Sequence, residues 1–181
     1  LTLAAAAALL LSASPADAGD CTALHGALEK RYESAVQGHA QPEQQDSALD
    51  ALENAIFDAL DQCPGDYDLL KLMGETQIAA GRGPIAIAYG NKLIDLRPDY
   101  FAGHLLLGAA LMTVGKSDEG VRHMKNAEEL APENLAVKLN LCSALAESGR
   151  KTEAIEYCDA VAAGDDARLR DIATSLRSRL H

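Results

Sequence analysis

The stretch DYDLLKLMGETQIAAGRGPIAIAYGNKLIDLRP, Asp66 to Pro98, decides the fold. It carries glycines at Gly74 and Gly81 and closes on a proline. The same punctuation returns every 34 residues: Pro64, Pro98 and Pro132 share that period, as do Gly81, Gly115 and Gly149. Gly74 and Gly108 share it too, with Cys142 as the next term. A fixed period of this length marks stacked units, each burying its apolar face on its neighbours.

Each unit reads as two helices. The first opens after a proline and ends at a glycine that can take the positive φ of a helix C-terminus. The second begins at Pro84 in one unit, where a first-turn proline sacrifices no hydrogen bond. In the next it begins near Ser117, the expected N-cap, with Asp118 and Glu119 well placed on the helix dipole. Composition agrees. The chain holds 34 Ala and 27 Leu, against 12 Val plus Ile, two Phe, five Tyr and no Trp. Ala and Leu lose little side-chain entropy in a helix, whereas β-branched residues lose more.

The middle unit, Phe101 to Asn134, carries Leu107-Gly108, Leu111, Gly115, Gly120, Met124, Ala127 and Pro132. The unit before it, Tyr67 to Tyr100, carries Met73-Gly74, Gly81, Ala86, Gly90, Leu93 and Pro98. The unit after, Leu135 to Arg168, carries Leu141-Cys142, Leu145, Gly149, Ala154, Cys158 and Val161. These residues resemble the tetratricopeptide repeat, whose pattern sets a large residue, Leu-Gly, an aromatic, a turn glycine, Ala, an aromatic, Ala and Pro in that order. The resemblance covers residues 67–168. It implies an all-α fold, a right-handed solenoid of antiparallel helix pairs. Leu, Met, Gly or Cys replace the usual aromatics, so the helices must cross closely.

The flanks extend this logic. Residues 19–66 read as a degenerate helical hairpin, with Leu24, Leu28 and Tyr32 on one face and Leu49, Leu52, Ile56, Phe57 and Leu60 on another. An enlarged turn, Gly38 to Gln45, is expected between them. Residues 169–181 read as a C-terminal capping helix with Ile172, Leu176 and Leu180 at helical spacing, since a solenoid needs a polar outer face at its end. Leu1 to Ser12 is nearly all Leu and Ala, and Ala16-Asp17-Ala18 follows. That pattern reads as a secretory signal, residues 1–18, cleaved after Ala18, and predicts an exported protein, periplasmic or secreted, with no membrane span afterwards. Asp20 before Cys21 is unlike a lipid-attachment motif, so release in soluble form is expected.

The formal charge is −11, which argues against a nucleic-acid partner, since such a partner needs a basic face. Residues 19–66 hold ten acids and two bases, residues 67–181 sixteen acids and fourteen bases. The acidic part is therefore the N-terminal hairpin.

Four cysteines in an exported chain are most simply two disulfides. The repeat register pairs them. Cys142 and Cys158 stand at matching heights about the turn at Gly149, and Cys21 and Cys63 stand at the open end of the first hairpin. The expected bonds are Cys21–Cys63 and Cys142–Cys158. The competing reading is a small metal-binding or enzymatic solenoid that uses Cys21 and His25, four apart on one helical face. No second pair of ligands stands at such a spacing. His104 falls where the repeat places a packing aromatic, which predicts a core histidine. No catalytic motif is present, so neither a catalytic residue nor a cofactor or metal is expected.

The resemblance also implies where binding happens. In this family the first helix of each unit lines a concave groove that holds a peptide segment or a partner protein. Mapped onto this chain, the groove positions are Lys71, Leu72, Glu75 and Ile78 in the first unit and Leu105, Leu106, Ala109 and Met112 in the second. Leu139, Asn140 and Ser143 follow in the third. The predicted function is a non-enzymatic protein–protein interaction scaffold of the cell envelope, acting in secretion or assembly.

Overall fold

A computed structural model describes residues 18–37 and 41–180. The apolar segment read as a secretory signal lies outside these residues, apart from Ala18. Nine α-helices and no strand occur among the described residues. They are α1 (Ala18–Gln37), α2 (Pro42–Gln62), α3 (Tyr67–Ala79), α4 (Gly83–Leu96) and α5 (Phe101–Thr113), followed by α6 (Ser117–Leu130), α7 (Leu135–Glu147), α8 (Lys151–Ala162) and α9 (Ala167–Ser178).

The 34-residue period is a period of helix starts. First helices open at Tyr67, Phe101 and Leu135, and second helices at Gly83, Ser117 and Lys151. The entries are capped from the sequence. The Asp66 carboxylate accepts the backbone N–H of Asp68 and Leu69 at 2.9 and 3.0 Å, and the Asn134 side chain does the same for Ala136 and Val137. Such caps satisfy amides that the helix leaves without partners. The turn inside each unit is built one way three times. Gly81, Gly115 and Gly149 take φ of +71°, +78° and +75°, and the next residue's N–H reaches back to the carbonyl of Gln77, Leu111 or Leu145. This is the left-handed stop that favours glycine.

Three local expectations change. Ser117 is the first residue of α6, not its cap: Lys116 stands at the N-cap, and its side chain makes no capping hydrogen bond. The connection between α1 and α2 ends at Gln41, because Pro42 starts α2 as a first-turn proline. Phe57 is 47% exposed and Ile172 is 40% exposed. The inner faces of their helices belong instead to Leu49, Leu52 and Ile56, and to Ala173.

Successive helices pack against one another along the whole chain. The odd-numbered helices also touch across units, α1 on α3, α3 on α5, α5 on α7 and α7 on α9. Among the described residues the backbones of even-numbered helices stay farther apart, and α6 and α8 meet only through long side chains, Tyr157 on Glu128 and Lys125 on Glu153. A stack whose one row is closely spaced while the other is splayed curves toward the close row. The odd helices therefore line the concave side of an all-α, tetratricopeptide-like solenoid. α1 and α2 close one end through a core of Leu28, Leu52, Ile56, Leu69, Leu72 and Met73. α9 closes the other end over α7 and α8.

Close crossings stand in for the missing aromatics. A Cβ built on Gly90 of α4 meets Leu107 Cα of α5 at 2.9 Å and its backbone nitrogen at 3.0 Å. One built on Gly108 of α5 meets the carbonyl oxygen of Gly120 in α6 at 2.8 Å. The cysteines use the same geometry. Cys142 and Cys158 fall 34 residues after Gly108 and Met124, a pair already in contact. Their Cα atoms are 5.3 Å apart. Cys21 and Cys63 have Cα atoms 5.9 Å apart. Both spacings lie within disulfide reach, in the pairing that the register predicts.

One buried polar group breaks the pattern. Gln77 is fully buried. Its Nε2 finds only the sulfur of Met73 at 3.6 Å, and its Oε1 has no hydrogen-bond partner. The equivalent residues 34 and 68 positions later are Leu111 and Leu145. An unsatisfied buried acceptor costs about 1–3 kcal/mol. Gln77→Leu is therefore expected to raise stability by about 1–2 kcal/mol, read from the midpoint of urea unfolding. An unchanged or lower midpoint would show that Gln77 has an unseen partner.

Candidate partner-binding groove

The eleven predicted groove residues divide into three groups. Leu72 and Leu106 are 1% and 4% exposed. Leu72 belongs to the core shared with α1 and α2, and Leu106 lies over the bare backbone of Gly74. Neither reaches the groove surface. Lys71, Glu75 and Ile78 lie on α3. Lys71 and Glu75 pair with each other at 2.8 Å across one helical turn, and Ile78 packs against Leu70, Leu93 and Leu106. The third group, on α5 and α7, is where a cavity forms.

That cavity has a volume of about 230 Å³. α5 supplies Ala109, Met112 and Thr113, and α7 supplies Asn140, Ser143, Ala144 and Glu147. Met124 of α6 completes the lining. Ala109, Met112, Asn140 and Ser143 were expected from the sequence, and the structure gathers them around one space. Leu105 and Leu139, also expected, are half-buried nearby on the same helices, and neither lines the cavity. Met124 was missed. Its signal is the glycine pair Gly108 and Gly120, where the two helices nearly touch. Without side chains at that crossing, Met112 and Met124 come in beside it.

The two walls differ in chemistry. The α5 wall is mainly apolar, formed by Ala109 and Met112, with Thr113 at the rim. The α7 wall is polar, with its groups mostly occupied within the helix. Asn140 Nδ2 donates to the Ala136 carbonyl at 2.8 Å, and the Ser143 hydroxyl donates to Glu147 Oε1 at 3.2 Å. Glu147 is exposed, and no basic side chain lines the cavity. α1 packs only on α2 and α3, and α9 only on α7 and α8. Among the described residues, neither end helix reaches α5, and the cavity lies open between them.

The thiol or metal reading of Cys21 and His25 loses its first ligand, because Cys21 pairs with Cys63. Among the described residues, no group of three His, Cys, Asp or Glu side chains is placed to hold a metal ion, and no helix is long and apolar enough to cross a membrane. His104, expected in the core, is half-buried and faces His123. Tyr157 donates its hydroxyl to Glu128 at 2.7 Å. Burial first, and then that carboxylate, push its pKa up.

Residues 111–177 match the tetratricopeptide repeat family. That stretch, part of α5 to α9, is a tetratricopeptide-repeat region. Solved structures agree on the fold. A thermophilic tetratricopeptide-repeat protein of Thermus thermophilus, TTC0263, superposes with a TM-score of 0.67 at 20% identity, over 84% of this chain and 82% of that one. The first such domain of human RPAP3 gives 0.57 at 15% identity, over 72% and 93%. YrrB, described as a protein of this class with an unusual peptide-binding site, gives 0.57 at 15% identity, over 87% and 86%. No curated protein matches the chain in sequence. At these identities the likeness is one of fold, and a tetratricopeptide solenoid suggests a protein–protein interaction scaffold.

Proposed function

We propose that the chain is a non-enzymatic scaffold of the cell envelope that holds a peptide segment of a partner protein in its concave groove. The observation that carries this reading is the open cavity between α5 and α7, with one apolar wall and one polar wall. An apolar pocket with a polar rim takes an anchoring side chain and orients the backbone that bears it. Ala109, Met112 and Met124 suit a large apolar side chain, and the carboxylate of Glu147 at the rim suits a basic residue beside it. A C-terminal carboxylate is the poorer fit, because the groove's Lys71 is already paired with Glu75.

The envelope location rests on the Leu/Ala segment with its A-x-A ending and on four cysteines placed as two pairs. Protein recovered from its native envelope should begin at Gly19 and offer no alkylatable thiol until it is reduced.

Binding is expected to collapse when the cavity is filled or charged. Ala109→Trp and Met112→Glu should each weaken partner capture by about 30-fold or more, equivalent to about 2 kcal/mol at an interface anchor. The check is crosslinking in the native envelope followed by quantitative pull-down, with unchanged helical circular dichroism as the folding control. A partner retained at wild-type level by both variants would remove the groove from the account.

A further inference from the structure

The repeat register isolates two side chains that the fold does not require. One position near the start of the first helix holds Leu70, His104 and Lys138 in the three units. One position on the second helix holds Tyr89, His123 and Tyr157. In the first unit, Leu70 and Tyr89 join one apolar cluster. In the third, Lys138 and Tyr157 border one surface pocket. In the middle unit both positions are imidazoles. Their rings meet edge to edge, with centroids 5.7 Å apart and planes 22° apart, and the two Nδ1 atoms face each other at 3.4 Å. Two facing imidazole nitrogens direct their lone pairs into one gap, so something positive must lie between them. That is either a proton carried by one ring or a metal ion shared by both.

We propose that His104 of α5 and His123 of α6 form a two-histidine site for a divalent transition-metal ion such as Zn²⁺, bound through both Nδ1 atoms with water in the remaining positions. Imidazole–zinc bonds of about 2.0–2.1 Å at a tetrahedral angle hold two nitrogens about 3.4 Å apart. The observed 3.4 Å matches that separation, and the two rings, which point at each other, must turn to aim their lone pairs at the ion. Both rings are half-buried, which leaves room for water on the open side. Among the charged neighbours of His123, Glu119 favours a cation and Arg122 opposes one. The gap lies between helices of one hairpin, so binding a metal there staples α5 to α6.

The test is calorimetric titration of the full, untagged chain with zinc chloride, repeated with nickel chloride. One site of micromolar affinity is expected, weakened at least about tenfold by either His104→Gln or His123→Gln and unaffected by His25→Gln. The double variant His104→Leu/His123→Tyr installs the pair that the first unit already packs. It should unfold cooperatively at or above the wild-type temperature in chelator, and lose the rise in melting temperature that zinc gives the wild type. Nitrogen NMR adds a direct readout, in which zinc should shift the Nδ1 resonances of these two rings. Zinc stabilisation that survives in the double variant would overturn the proposal. So would a wild type that binds no zinc below about 1 mM, leaving a pair that shares only a proton.

Discussion

Gly90→Val should lower the stability of this protein by about 3 kcal/mol or more, at the upper end of what overpacking costs. The reason is the distance between α4 and α5. A methyl group at Gly90 would sit 2.9 Å from Leu107 Cα and 3.0 Å from its nitrogen. Those are backbone atoms inside a helix, and no rotamer change can move them away. Valine adds two further carbons in the same place, so the helices must separate or shift along each other. Separation would strip contact from Leu93, which has no exposed surface, and from the neighbouring crossing at Gly103, whose added Cβ would lie 3.1 Å from Leu93 Cβ. For a chain of this size the loss corresponds to a fall of about 6–12 °C in melting temperature. The same kind of change has the opposite sign elsewhere. Gly26 lies within α1 with nothing near its missing Cβ. Gly26→Ala should therefore stabilise by up to about 1 kcal/mol, since alanine is the better helix former. Thermal unfolding of the two variants side by side checks both. If Gly90→Val melts with the wild type, the close-crossing account of this aromatic-poor core is wrong.

The second large effect concerns the cysteines. In the chain-entropy account, closing Cys21 to Cys63, 42 residues apart, contributes about 4 kcal/mol, and closing Cys142 to Cys158, 16 residues apart, about 3 kcal/mol. Native stability is about 5–15 kcal/mol in total, so reduction should shift the unfolding midpoint far down. The two pairs should differ in what they release. Cys142 and Cys158 are fully buried within the stack and occupy positions held by Gly74 and Gly90 in the first unit. Replacing both by alanine should cost stability while leaving the unit packed. Cys21 ties the start of α1 to the end of α2, and among the described helices α1 touches only α2 and α3. Replacing Cys21 and Cys63 by alanine should let limited proteolysis remove α1 before any other helix is cut. A reductant that leaves the unfolding midpoint unchanged would show that the pairs are not covalent in the native protein.

Much of the fold was legible because a repeat states its own register. The period put the starts of α3, α5 and α7 at Tyr67, Phe101 and Leu135, and heights about a turn placed Cys142 opposite Cys158. Helix ends and inward faces were less legible. Ser117 looks like a cap from its chemistry, yet Lys116 holds that position, because the turn is fixed from the other side by Gly115 and the Leu111 carbonyl. Phe57 is apolar and at helical spacing, yet it faces outward, since spacing defines a stripe without saying which edge of it meets the next helix.

The groove shows the same limit. Family positions named Ala109, Met112, Asn140 and Ser143, and the structure gathers these four around the cavity. They could not show that Leu72 and Leu106 are drawn inward, because that depends on two particular neighbours. The extra hairpin α1–α2 covers Leu72, and the absent side chain of Gly74 leaves room that Leu106 fills. Met124 sits on an even-numbered helix, outside any list of groove positions. It reaches the cavity only because Gly108 and Gly120 let α5 and α6 come so close. The His104–His123 contact was likewise out of reach, since a spacing of 19 residues across a turn signals nothing until the two helices are aligned.

In the function proposed above, this solenoid works through the cavity between α5 and α7. A photo-crosslinking amino acid placed at Thr113 or at Glu147, both exposed at its rim, tests it in cells of the native host. A control is placed at Leu96, half exposed at the end of α4. One and the same partner segment is expected to join to both rim positions and not to position 96, and the adducts should vanish when Met112→Glu is added. A partner captured equally at position 96, or captured at the rim whether or not Met112 is changed, would contradict it.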